Sequence, residues 1–186
     1  MTITDHTGLS IPERTRALHA VRIAGWVMTE RLPGIPILSD ATLFRTAATP
    51  RGELTGLTPA GEQAAELELA AVSAHLNTEA RERIRALLDA YEQVDGRMKD
   101  LVTAFQRDRT AARAEPLVAL HGEVAELLDG IAAACPLWDG YPARLRGAVG
   151  RIEQGDLDYV AAPLLDSFHT VWHLLHRDMR VVTESW

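Results

Sequence analysis

Apolar residues recur at intervals of three and four along most of the chain. In the central stretch, Ile84, Leu87, Tyr91, Val94, Met98, Leu101 and Phe105 alternate these spacings. That is a heptad-like seam, carried by one long helix or by two broken near Asp95-Gly96. A covering surface is required, from this chain or from a second copy. Leu117, Leu120, Val124, Leu127, Leu128 and Ile131 predict another helix from Pro116 to about Cys135. Tyr141 to Gln154 reads as a further helix, with Gly155 in its C-terminal left-handed position. Asp156 suits the cap of a short turn to Val160. The last helix is predicted from Pro163 to about Val182.

The first part of the chain is patterned differently. A helix is expected from Pro12 to about Thr29, on Leu18, Val21, Ile23, Ala24 and Val27. Pro33, Gly34 and Pro36 then forbid regular helix. Ala41 to Arg45 suits a short helix or strand, and Thr49 to Glu53 a turn. Leu54 to Leu57 reads as a short strand. Thr58-Pro59 opens a helix to about His75, with Thr58 as N-cap and Pro59 as first helical residue. Asn77 is placed to cap the next helix, and Arg107 to Glu115 reads as a charged loop.

Composition agrees with a mainly α chain. Hydrophobic residues make up 47% and aromatic residues only 5%. The net charge is −7, and it is unevenly placed. Residues 1–62 balance six arginines against six acidic residues, so the deficit lies in residues 63–186. The neutral first part and the proline-broken stretch, whose bases are only Arg31 and Arg45, speak against duplex DNA as a partner. A single cysteine, Cys135, excludes an intrachain disulfide. The start resembles no secretory signal, and no apolar run reaches the roughly 20 residues of a membrane span. A cytoplasmic protein without membrane contact is the expectation.

The histidines are the candidate chemistry. His169, His173 and His176 share a helical wedge of roughly 60°, with Asp166 and Arg180 on or beside it. Such a group can act as acid and base near neutral pH, with Asp166 fixing a tautomer. The histidines can equally share a metal, or simply form the wet side of a helix whose apolar stripe is Leu164, Phe168, Val171, Leu175 and Met179. His121 falls on the apolar stripe of its own helix, between Leu117, Val124 and Leu128. Facing the last helix, it would join His169 and His176 in a polar cluster inside the bundle. Trp172 and Phe168 would then bound a ligand, with Arg180 at its edge, while core packing is the competing reading of Trp172. Arg144 and Arg146 suit a carboxylate or phosphate, or solvent. Ser167 and His169 are two apart on a helix and point apart, so they make no triad.

Two segments carry a resemblance. Leu18 to Gly25, followed by Gly52-Glu53-Leu54-Thr55-Gly56-Leu57-Thr58-Pro59-Ala60-Gly61, resembles the first helix and wing of a winged helix-turn-helix domain. Asp166-Ser167-Phe168-His169-Thr170-Val171-Trp172-His173-Leu174-Leu175-His176-Arg177-Asp178 is similar to the closing helix of small actinobacterial proteins with that module, commonly labelled MarR-like regulators. The resemblance implies a degenerate winged-helix-like module with a short β wing over residues 1–62, packed on a helical bundle over residues 63–186. The expected function is small-molecule binding on a regulator-derived scaffold. It extends to cofactor-poor acid–base catalysis of the cyclase, isomerase or lyase type, with a homodimer as the expected assembly. The alternatives are a ligand-responsive MarR-like transcriptional regulator and a metal- or haem-binding protein.

Overall fold

The computed structural model describes residues 11–32 and 38–186. The stretch from Pro33 to Ile37, where the sequence forbids helix, lies outside them. The described residues form a mainly α fold with one small antiparallel sheet. They divide into two compact units. One holds the described residues up to Thr78 together with Val181–Trp186, and the other is Glu79–Arg180. The first unit thus continues past Glu62, where the sequence reading divides the chain.

In the first unit, α1 (Glu13–Ala24) is shorter than its apolar pattern suggests. Gly25 stops it with a φ of 79°, donating its N–H to the Val21 carbonyl at 2.7 Å. A positive φ of this kind is a conformation that glycine adopts without strain. The chain beyond becomes β1 (Trp26–Met28) instead of more helix. β2 (Phe44–Thr49) and β3 (Gly52–Leu57) form a tight hairpin closed by Pro50 and Arg51, with Thr49 opposite Gly52. The sheet order is β1-β3-β2, and Trp26 pairs with Gly56.

α2 (Pro59–Ala74) begins as its sequence requires, with the Thr58 hydroxyl accepting the Gly61 N–H at 3.1 Å. The same hydroxyl donates to the Thr42 carbonyl. A Cβ at Gly61 would lie 2.1 Å from the Leu43 carbonyl oxygen, so only glycine lets this helix approach the turn before β2 so closely. Ala17, Leu18, Val21, Leu32, Leu38, Phe44, Leu57 and Ala65 form the core of this unit.

The second unit is entirely helical. α3 (Thr78–Arg107) is one uninterrupted helix of 30 residues, about 45 Å long, with no break at Gly96. Its buried line is Ile84, Tyr91, Asp95, Met98, Val102 and Phe105, while Leu87, Val94 and Leu101 are only half-buried. The covered face is therefore rotated from the heptad seam, toward the side that carries Asp95. α4 (Ala111–Glu123) starts where a charged loop is expected, with Pro116 inside it. Helix nonetheless extends over residues 111–115, although Pro116 forfeits an internal hydrogen bond and crowds the carbonyl four residues earlier. α5 (Ala125–Ala134) follows after a kink at Val124, across which hydrogen bonds from Val124 to Leu120 and from Leu128 to Val124 persist. α6 (Tyr141–Glu153), with Gly155 at φ 89°, and the single turn α7 (Asp158–Ala161) come next.

α8 (Phe168–Thr183) begins later than Pro163. Ser167 accepts the Thr170 N–H at 3.3 Å and shares a 2.9 Å hydroxyl contact with Thr170. This side-chain cap sets the start. Leu164 consequently lies outside the helix and is 51% exposed, so the apolar stripe begins at Phe168. No helix among the described residues is long and apolar enough to cross a membrane.

Candidate functional site

The site is built on α8 and α3 within the helical unit. Phe168, Val171, Trp172, Leu175, Asp178 and Met179 are the buried side of α8. Trp172 stacks on Tyr91 of α3 at 4.3 Å between ring centroids and on Phe168 at 5.7 Å. The Tyr91 hydroxyl donates to the Trp172 carbonyl at 3.0 Å, and burial pushes that hydroxyl well above its ordinary range. The sequence offers Trp172 and Phe168 both as pocket borders and as core side chains, and both are fully buried in this aromatic column.

The Trp172 indole N–H donates to Asp95 Oδ1 at 3.1 Å, and Lys99 Nζ stands 2.5 Å from Asp95 Oδ2. Burial acts to raise the Asp95 pKa. The hydrogen bonds from Lys99 and Trp172 outweigh it and hold the carboxylate below its ordinary value. An ionised carboxylate that is nearly buried needs such partners.

On the next strip of α8, the rings of His169 and His173 meet edge to face, with centroids 4.5 Å apart. His169 is half-buried and His173 lies at the exposed rim. Loss of hydration lowers the pKa of both. For His169 the next cause is His173, and for His173 it is Lys99, which acts on both rings. Both shifts favour the neutral imidazole. Among the described residues, neither ring takes part in a hydrogen bond.

His176 does not complete this group. Its Nε2 donates to Glu92 Oε1 at 3.0 Å, and the same oxygen accepts from Arg180 Nε at 2.9 Å and Nη2 at 2.7 Å. First the His176 bond and then the Arg180 bond draw the Glu92 pKa down. The three histidines share a helical wedge, yet an acid on α3 draws the third aside. Arg180 is committed to the same acid. Asp166 precedes α8 and is gripped by Arg144 through two bonds of 3.0 Å, so it is placed to hold an arginine rather than to orient an imidazole. His121 is half-buried instead of buried, and its ring meets the Phe168 edge at 6.2 Å. Burial, then Arg146, lowers its pKa. No group of three or more His, Cys, Asp or Glu side chains among the described residues is arranged to hold a metal.

Asp95, Lys99, Glu92 and Asp178 are the residues that sequence reasoning passed over. Asp95 is four residues after Tyr91 and three before Met98, an acid on an apolar face. Asp178 follows Leu175 by three and Val171 by seven, on the buried stripe of α8. An acid at a core position requires buried donors, and that signal was present in both helices. Asp178 finds them in the Trp138 indole N–H at 3.0 Å and the Tyr141 hydroxyl at 2.9 Å.

The other unit offers a basic and aromatic surface. Trp26 is 41% exposed, with the Arg45 guanidinium 4.9 Å from its ring and Gly56 beneath it. A groove of about 370 Å³ lies elsewhere in that unit, lined by Arg22, Glu66, Leu69, Val181 and Glu184 among others. The chain matches no protein-family model, no curated protein and no solved structure.

Proposed function

We propose that the helical unit binds a small molecule at His169 and His173 and acts on it by acid–base chemistry. The observation that carries this reading is the pair of neighbouring imidazoles, both below their ordinary pKa, beside an ion pair of Lys99 and Asp95. A neutral imidazole accepts a proton at physiological pH, and one edge-on neighbour can pass it on. Lys99 can face a developing negative charge, while Asp95 anchors the lysine and, through Trp172, the helix that presents the histidines. The reaction class is a proton-transfer rearrangement, such as a cyclisation, isomerisation or elimination.

A screen of small organic acids and enolisable carbonyl compounds, read by ligand-observed NMR, tests the proposal. Binding should be lost when His169 and His173 are both replaced by glutamine and the variant remains folded. Ligands that bind the double variant as well as the parent would refute this placement.

The sheet favours a second reading, a ligand-responsive DNA-binding regulator acting as a dimer. A β1-β3-β2 sheet whose hairpin carries Arg51 at its turn, with Arg45 over Trp26 beside it, suits contact with phosphates. Duplex binding that weakens steeply with salt would support it. No binding at low salt would remove it.

A further inference from the structure

We propose that His169 and His173 also form a chelating site for a divalent late transition metal ion, with copper(II) held most tightly and nickel(II) and zinc(II) less so. The inference uses the same two rings as the acid–base reading, but its success does not depend on that reading. The pair stands one turn apart on an unbroken helix, with ring centroids 4.5 Å apart. Histidines four residues apart can direct a nitrogen each to one ion after a modest rotation of the rings, as in helical zinc sites. Their nitrogens are open to such a role, whereas the His176 nitrogen is taken by Glu92.

Charge and protonation favour the same use. A ligand imidazole must be neutral, so binding should strengthen as pH rises through the histidine range. The nearby Lys99 ammonium would repel a cation if it stood alone, but Asp95 neutralises it at 2.5 Å. Imidazole suits copper, nickel and zinc, and the order of affinity for a site of this kind places copper first. With two protein ligands, the remaining coordination positions fall to water or to donor atoms of a bound small molecule. The site is therefore open, unlike the four-ligand sites that stabilise folds. A metal bound here would occupy the nitrogens that otherwise accept protons, so the two uses alternate at any one moment.

The test is calorimetric titration of the untagged full chain, stripped of metal, with copper(II) and then nickel(II) above neutral pH. Electron paramagnetic resonance of the copper form reads its ligands. One equivalent should bind per chain, with hyperfine structure from two imidazole nitrogens. His173→Ala, at the exposed rim, should keep its unfolding transition and lose more than roughly tenfold in affinity, since even an outer-sphere partner is worth that much. His169→Ala should do the same. Absence of saturable one-equivalent binding would overturn the proposal, as would affinity that survives both substitutions. Either failure leaves the acid–base reading to its own test, because the ligand screen is run without metal.

Discussion

Asp95 and Asp178 are built alike and used differently. Each is a buried acid that accepts a tryptophan indole N–H, from Trp172 and Trp138 respectively, and each has a tyrosine close by. At Asp178 the Trp138 and Tyr141 donors are neutral, the Arg144 charge acts nearby, and the group is 1% exposed. At Asp95 the second partner is Lys99, a half-exposed cation, and the neighbouring side chains are His169 and His173. The same tryptophan–aspartate pair thus closes the core at one place and supports a titratable rim at the other. What separates them is the hydrogen-bonding partner beside the indole, a buried phenol at Asp178 and a half-exposed ammonium at Asp95.

That contrast can be broken first at its structural end. Asp178→Ala leaves the Trp138 and Tyr141 donors buried without an acceptor. At about 1–3 kcal/mol for each unsatisfied group, the variant should lose roughly 2–5 kcal/mol in denaturant unfolding. A loss under about 1 kcal/mol would mean that the core reorganises around the missing acid. Asp95→Asn should cost less, on the order of 1–2 kcal/mol, because the amide oxygen still accepts from Trp172 and Lys99 can reach water. It should also lower the pKa of His169 and His173 further, since the Asp95 charge favours their protonated forms. Lys99→Met should move both histidines in the opposite direction, as it removes a like charge. Ring-proton NMR checks both shifts, and Asp178→Asn should produce neither.

The smallest effect concerns stability and pH. His169 and His173 have folded pKa values below those of the unfolded chain. The unfolded state therefore takes up protons first as pH falls. Their contribution to stability is complete above the ordinary histidine pKa and is lost as pH falls through the lowered values. Unfolding midpoints should decline in that window, and His173→Gln should flatten the decline. An unchanged slope in that variant would place the acid sensitivity elsewhere.

Local signals were legible in the sequence, and distant partners were not. Thr58-Pro59 opens α2 as written because a cap and its N–H partner lie three residues apart. Gly155 closes α6 for the same local reason. The end of α1 was misjudged because apolar Val27 continued the pattern past Gly25, whose left-handed turn decides the matter. Pro163 concealed the later start of α8, although Ser167 and Thr170 are a cap signal in plain view. The wedge of His169, His173 and His176 followed from helical spacing alone. Its division did not, because Glu92 lies 84 residues from His176 in the chain, and spacing along one helix is silent about what another helix presents. The neutrality of the pair was illegible for the same reason, being a product of burial and of Lys99 on α3.

The central claim is that His169 and His173 are a neutral, coupled pair at physiological pH. Its most direct test is an NMR titration of the side chains of all 7 histidines, assigned by single substitution. The account predicts that both rings titrate below a free imidazole and that replacing His173 raises the pKa of His169. Titration of both at or above the ordinary value, with no response of one to loss of the other, would contradict it.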